Sequence, residues 1–142
     1  MVRLGVVVVL VLGGCTSAGS IEDGGAVPGM RGLDLPAIER LTITENGEGS
    51  PTDTNPPRGC QGFMLDEAHV RRFMDEAGEV DQRAYMHTLD WSPCHARGRI
   101  DFADGRSGVW TIRQFRTGSI LFDDGGQLFL FCRSCTREPF AR

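Results

Sequence analysis

The sequence predicts an α+β domain: an antiparallel meander sheet of four to five strands, with one packed helix, stapled by disulfides. Three observations predict it. Short turn signals, Asp104-Gly105, Arg116-Thr117-Gly118 and Asp123-Asp124-Gly125-Gly126, separate apolar-rich runs in the second half of the chain. One stretch ahead of them, Asp66 to Ala77, repeats its apolar residues at helical spacing. Four cysteines, Cys60, Cys94, Cys132 and Cys135, bracket the same region.

The elements follow in order. Residues 16–30 are rich in Gly, Ser, Ala and acidic groups, too poor in apolar side chains for a core, and read as a tether. Arg40-Leu41-Thr42-Ile43-Thr44 alternates apolar and polar with β-branched residues and reads as a short strand. Glu45 to Gly59 reads as a loop, broken by Gly47, Gly49, Pro51, Pro56 and Pro57. In the helix, Asp66 is the expected N-cap, and Glu67 places negative charge where the helix dipole favours it. Val70, Phe73, Met74 and Ala77 form the apolar stripe, and Gly78 is the expected C-terminal cap.

Four strands are then expected. Arg97 to Ala103 puts Ile100 and Phe102 on one face and Arg97, Arg99 and Asp101 on the other. Gly108 to Phe115 carries Val109, Trp110, Ile112 and Phe115. Ser119 to Phe122 and Gln127 to Cys132 follow. The last is apolar on both sides, so it is expected to be central or covered by a helix. Trp91, in Asp90-Trp-Ser-Pro-Cys94, is expected to plug an edge of the core.

The first fifteen residues carry the strongest signal of location. Arg3 is followed by an apolar run from Leu4 to Leu12, then by Gly13, Gly14 and Cys15. That is the order of an export signal, and the run is shorter than the roughly 20 residues a membrane-spanning helix needs. Leu12-Gly13-Gly14-Cys15 resembles the lipobox of bacterial lipoproteins. The resemblance implies cleavage after residue 14 and acylation of Cys15, giving palmitate-type lipidation and an envelope location. Thr16 after the cysteine, rather than Asp, implies the outer membrane, facing the periplasm. Cleavage of an ordinary secretory signal near Ala18 is the alternative. The expected organisation is a signal peptide over 1–14, a lipidated N-terminus and tether over 15–34, and one domain over 35–142.

From Cys60 to Cys135 the chain also resembles small bacterial envelope lipoproteins. The residues that carry this are Asp90-Trp-Ser-Pro-Cys94, Phe102-Ala-Asp-Gly105, Trp110-Thr-Ile-Arg113, Thr117-Gly118 and Cys132-Arg-Ser-Cys135. The resemblance brings no activity with it.

With Cys15 set aside, four cysteines in a small exported domain read as two disulfides, and sequence leaves three connectivities. Cys94 and Cys132 lie at the same end of a meander, so pairing of Cys60 and Cys94 each with one of the last two is expected. Cys60–Cys94 with Cys132–Cys135 is the alternative. Two other readings use the same residues. One is a redox CxxC, which lacks a following helix to lower the thiol pKa. The other is a zinc site of the four cysteines, or with His95 replacing one, which lacks a second CxxC.

Composition narrows the function. The 142-residue chain has a formal net charge of −4, or −5 once Arg3 is removed with the signal. An acidic domain gives no basic face for nucleic acid. All fifteen basic residues are arginine, which coding bias explains without a functional demand. Gly105-Arg-Ser-Gly108 is not a nucleophile elbow, and Asp123-Asp124 lacks the regular oxygen ligands of a calcium loop. His87-Thr-Leu-Asp90 could bring an imidazole near a carboxylate, and an envelope enzyme using that region is the rival reading. No metal or cofactor is expected. The expected function is binding: Arg97, Arg99, Arg113 and Arg116, with Trp110, form a candidate surface for a protein partner. An immunity or inhibitor protein is the specific form.

Overall fold

The computed structural model describes Val27 and residues 29–49 and 59–141. Seven strands form one open antiparallel sheet. In chain order they are β1 (Arg31–Gly32), β2 (Ile38–Glu48), β3 (Gly78–Val80), β4 (His95–Phe102), β5 (Ser107–Arg113), β6 (Thr117–Phe122) and β7 (Gln127–Phe131). Two helices, α1 (Glu67–Glu76) and α2 (Gln82–His87), and a 3₁₀ turn at Cys60–Gly62 complete the fold. The strand order is β1-β3-β7-β6-β5-β4-β2, with every neighbouring pair antiparallel.

The meander from β4 to β7 is as the turn signals require. Gly105 and Gly125 take φ of 88° and 94°, a region that side chains disfavour. The sheet is nonetheless wider than four or five strands. Its extra members, β1 and β3, are two and three residues long, too short to carry an alternation pattern. Arg31 and Gly32 pair with β3, so the sheet takes in residues of the 15–34 segment expected to be tether.

Strand β2 is longer than the Arg40–Thr44 segment, running on through Glu48 into the expected loop. Register shifts between Ile38 and Arg40, Ile43 and Glu45, and Glu45 and Glu48 let it bend against β4. Gly98 of β4 lies under this crossing. A Cβ there would overlap the Thr42 carbonyl oxygen and stand 2.9 Å from Trp110 Cζ2. Asn46 then ties β2 to the chain before α1. Its Oδ1 accepts from Leu65 N at 2.9 Å and its Nδ2 donates to Leu65 O at 2.8 Å.

Helix α1 starts as expected, with Asp66 accepting from His69 N at 2.7 Å. His69 completes the capping box, its Nδ1 accepting from Asp66 N at 3.2 Å, in place of the usual Glu or Gln. The helix ends differently. Ala77 is already extended, and Gly78 opens β3 instead of capping the helix. At Gly78 a Cβ would lie 2.8 Å from Arg31 O, so the close approach of β1 explains this glycine.

Successive strand residues alternate faces, and the two faces have different covers. Val70, Phe73 and Met74 of α1 pack on the face bearing Ile100, Trp110, Ile112, Ile120 and Leu130. The short α2, capped by Asp81 accepting from Ala84 N, covers only the far end of the other face. There Ala84 and Tyr85 meet Phe129 and Phe131, the Tyr85 and Phe129 rings 4.8 Å apart. Strand β7 lies between β3 and β6 with helices over both faces, which accounts for its two-sided apolar sequence.

Candidate functional site

The uncovered face of the sheet holds the candidate site. Cross-strand rows run Arg97–Thr111–Ser119 and Arg99–Val109–Leu121, with His95 opposite Arg113 in the next row. The first row continues to Phe129, where Tyr85 of α2 covers its end. Leu121 is 46% exposed here, an apolar side chain on the solvent side of a strand whose neighbours Ile120 and Phe122 are buried.

The four arginines share this side but not one state. Arg99 makes a two-pronged ion pair with Asp123 of the β6–β7 turn, both N···O distances 2.8 Å. The hydrogen bond from Arg99 holds the Asp123 carboxyl below the usual carboxylate range and raises the Arg99 guanidinium. Arg113 lies 5.2 Å over the Trp91 ring centroid and donates to Ser92 O at 3.1 Å. Arg116, in the β5–β6 turn at φ 67°, lies 5.3 Å over Phe131 and donates through Nη1 to Arg133 O at 3.2 Å. Its buried Nε has no hydrogen-bond partner among the described residues. Arg97 is exposed and makes no side-chain hydrogen bond or ion pair among the described residues, which leaves a free guanidinium at the centre of the face.

The two tryptophans exchange their expected roles. Trp110 is fully buried, and its Nε1 donates to Arg99 O at 3.2 Å. It pairs with Gly98 and Ile120 on the α1 side, so strand parity removes it from the arginine surface. Trp91 is 56% exposed, not a core plug, and stacks with Arg113 on the open face. Nothing in Asp90-Trp-Ser-Pro-Cys94 is periodic, so only the fold could place it.

The disulfides also pair otherwise than expected. Cys60 bonds Cys94, with Cα atoms 4.9 Å apart, and Cys132 bonds Cys135, with Cα atoms 5.4 Å apart. Cys94 and Cys132 do lie at the same end of the sheet. They stand on strands three spacings apart, however, about 14 Å, well beyond the Cα separation a disulfide spans. Cys60 sits by β2, at the β4 edge, where the Gly47 position approaches Cys60 O. The two bridged pairs thus lie apart, and a single zinc site of four cysteines is ruled out. Cys15 lies outside the described residues.

The histidines divide likewise. His95 is buried, its Nδ1 3.1 Å from Pro93 O and its Nε2 3.1 Å from Glu45 Oε2. Sequence reasoning missed this contact because Glu45 falls in the expected loop. His87 is the last residue of α2, and it and Asp90 are both exposed.

On the opposite side, a cavity of about 390 Å³ lies between α1 and the C-terminal segment. Phe73, Glu76, Cys135 and Phe140 line it. At its edge the Cys132 and Cys135 sulfurs and a Glu76 carboxylate oxygen lie within 4.8 Å of one another. The chain matches no protein-family model, and no curated protein or solved structure matches it.

Proposed function

We propose that this chain is a lipid-anchored envelope protein whose uncovered sheet face binds a protein partner, with no reaction of its own. The observation that carries the reading is the group on that face. Exposed Trp91 is braced by Arg113, Arg97 is unpaired among the described residues, and exposed Leu121 lies two strands away on the same face. Tryptophan and arginine are the residue types that dominate binding hot spots, and Trp91 is already held in place, which lowers the ordering cost of binding. The face presents guanidinium groups on a chain of net charge −4, so its partner presents carboxylates around an apolar centre. The specific form is an immunity or inhibitor protein. Anchored through Cys15 at the periplasmic side of the outer membrane, it blocks a toxin or lytic enzyme arriving there.

A photo-cross-linking amino acid placed in the full chain in cells tests the binding reading. At Leu121 or Thr111 it is expected to give one discrete protein adduct, lost with Trp91→Ala and Arg97→Glu. At Glu67, exposed on α1, no such adduct is expected. Equal labelling at the three positions, or none at Leu121 and Thr111, refutes it. Anchoring is tested separately: Cys15→Ser is expected to abolish fatty-acid labelling and move the protein from the membrane to the soluble fraction.

A further inference from the structure

We infer that Cys132, Cys135 and Glu76 form a zinc site that opens when the Cys132–Cys135 disulfide is reduced. The proposal does not depend on the partner-binding reading.

Three potential ligands from two elements already converge. Cys132 and Cys135 flank the turn after β7, and Glu76 is the last residue of α1. Their sulfur and carboxylate oxygen atoms lie within 4.8 Å of one another. Tetrahedral zinc with thiolate and carboxylate ligands needs S···S and S···O separations of about 3.6–3.8 Å. The Glu76 oxygen, within 4.8 Å of both sulfurs, needs at most a small shift to reach that range, and the two sulfurs must part. The Cys-x-x-Cys spacing is that of a zinc knuckle. The two residues between, Arg133 and Ser134, are exposed and form a turn, so the backbone there can adjust as the two buried sulfurs part.

Ser134 orients the third ligand. Its Oγ donates to Glu76 Oε2 at 2.6 Å and lies 3.7 Å from Cys132 Sγ. A hydrogen bond that fixes a ligating carboxylate is the usual support of a metal ligand. The adjoining cavity, lined by Glu76 and Cys135, gives solvent access and room for water as the fourth ligand. As a staple the bridge contributes less than Cys60–Cys94 does. Its sequence separation is 3, so it removes little chain entropy from the unfolded state.

The chemistry balances with a dithiol reductant. Two electrons and two protons pass from the dithiol to the Cys132–Cys135 bond, giving two thiols and the reductant's own disulfide. Zinc binding then releases the two thiol protons, and two thiolates with the Glu76 carboxylate hold the ion. In an oxidising compartment the bridge keeps the site shut, so zinc binding reports the arrival of a reductant.

The test uses the full chain carrying Cys15→Ser, reduced with a phosphine and titrated anaerobically with Zn²⁺ against a chromophoric chelator. One zinc per reduced chain is expected, and none per oxidised chain. C132S/C135S, which keeps Cys60 and Cys94, should lose binding. C60A/C94A, which keeps the proposed ligands, should retain it. E76Q should weaken binding about tenfold or more. In the reduced protein, zinc should also slow alkylation of Cys135 at least about tenfold, a readout that does not require the cysteine variants to fold. No zinc uptake on reduction, uptake unchanged by C132S/C135S, or equal affinity in E76Q overturns the proposal.

Discussion

The two disulfides should differ in what they contribute to stability, by an amount their sequence separations set. Cys60–Cys94 has a separation of 34 and Cys132–Cys135 a separation of 3. Loops of about 35 and about 4 residues correspond, in the chain-entropy treatment, to about 3.8 and about 1.9 kcal/mol at 25 °C. The first is a large part of the 5–15 kcal/mol typical of a folded domain. All four cysteines are buried, so replacing either pair with alanine removes similar packing, and the difference of about 2 kcal/mol survives the comparison.

Urea unfolding of C60A/C94A and C132A/C135A under non-reducing conditions measures it. Both variants should lower the midpoint, C60A/C94A about twice as far, each by an m-value-scaled shift from the parent. An equal cost, or a greater cost for C132A/C135A, refutes the reasoning. It would mean that the short bridge carries native-state structure that loop length does not describe. It would also remove one support for reading that bridge as an openable site.

The remaining predictions concern single side chains. Asn46→Ala leaves the Leu65 N–H and C=O without their partners and should cost about 1–3 kcal/mol in urea unfolding. Gly98→Ala should cost at least about 1–3 kcal/mol, because its Cβ overlaps the Thr42 carbonyl oxygen where β2 crosses β4. Trp91→Phe should remove the iodide-quenchable part of the tryptophan fluorescence, and Trp110→Phe the shielded, blue-shifted part. For Asp123, the Arg99 hydrogen bond places the folded pKa below the unfolded one. The contribution is therefore present above the usual carboxylate pKa and lost as pH falls through the folded value. Unfolding midpoints of Asp123→Asn should accordingly fall less steeply than those of the parent below about pH 4.

What was legible in the sequence was the part that repeats. Helix α1 shows its stripe at Val70, Phe73 and Met74, and the meander shows its alternation and its turn glycines. What escaped was set by contacts distant in sequence. Gly78 has the look of a helix cap, and only the arrival of Arg31 beside it turns it into a strand residue. The exchange of Trp91 and Trp110 has the same origin. Parity from Gly98 through Trp110 to Ile120 turns one inward, and a non-periodic segment leaves the other outside. The disulfides repeat the lesson: being at one end of a sheet is not being on neighbouring strands.

The two proposed sites can be tested against each other because the sheet separates them. Cys132 and Cys135 belong to the core cluster beneath α1, whereas Arg97, Val109 and Leu121 point from the other face. Changes at distant sites that share no partner add to within a few tenths of a kcal/mol. E76Q should thus leave cross-linking at Leu121 unchanged, and Trp91→Ala should leave zinc affinity in the reduced chain unchanged. Among the described residues, Arg116 is placed to join the two sites. It lies over Phe131, at the α2-covered end of the arginine face, and donates to Arg133 O within the cysteine turn. If reduction and zinc binding alter partner capture, the effect should pass through this contact. Arg116→Ala should then abolish the coupling while leaving zinc binding intact. Coupling that persists in Arg116→Ala would show that the sheet does not insulate its faces.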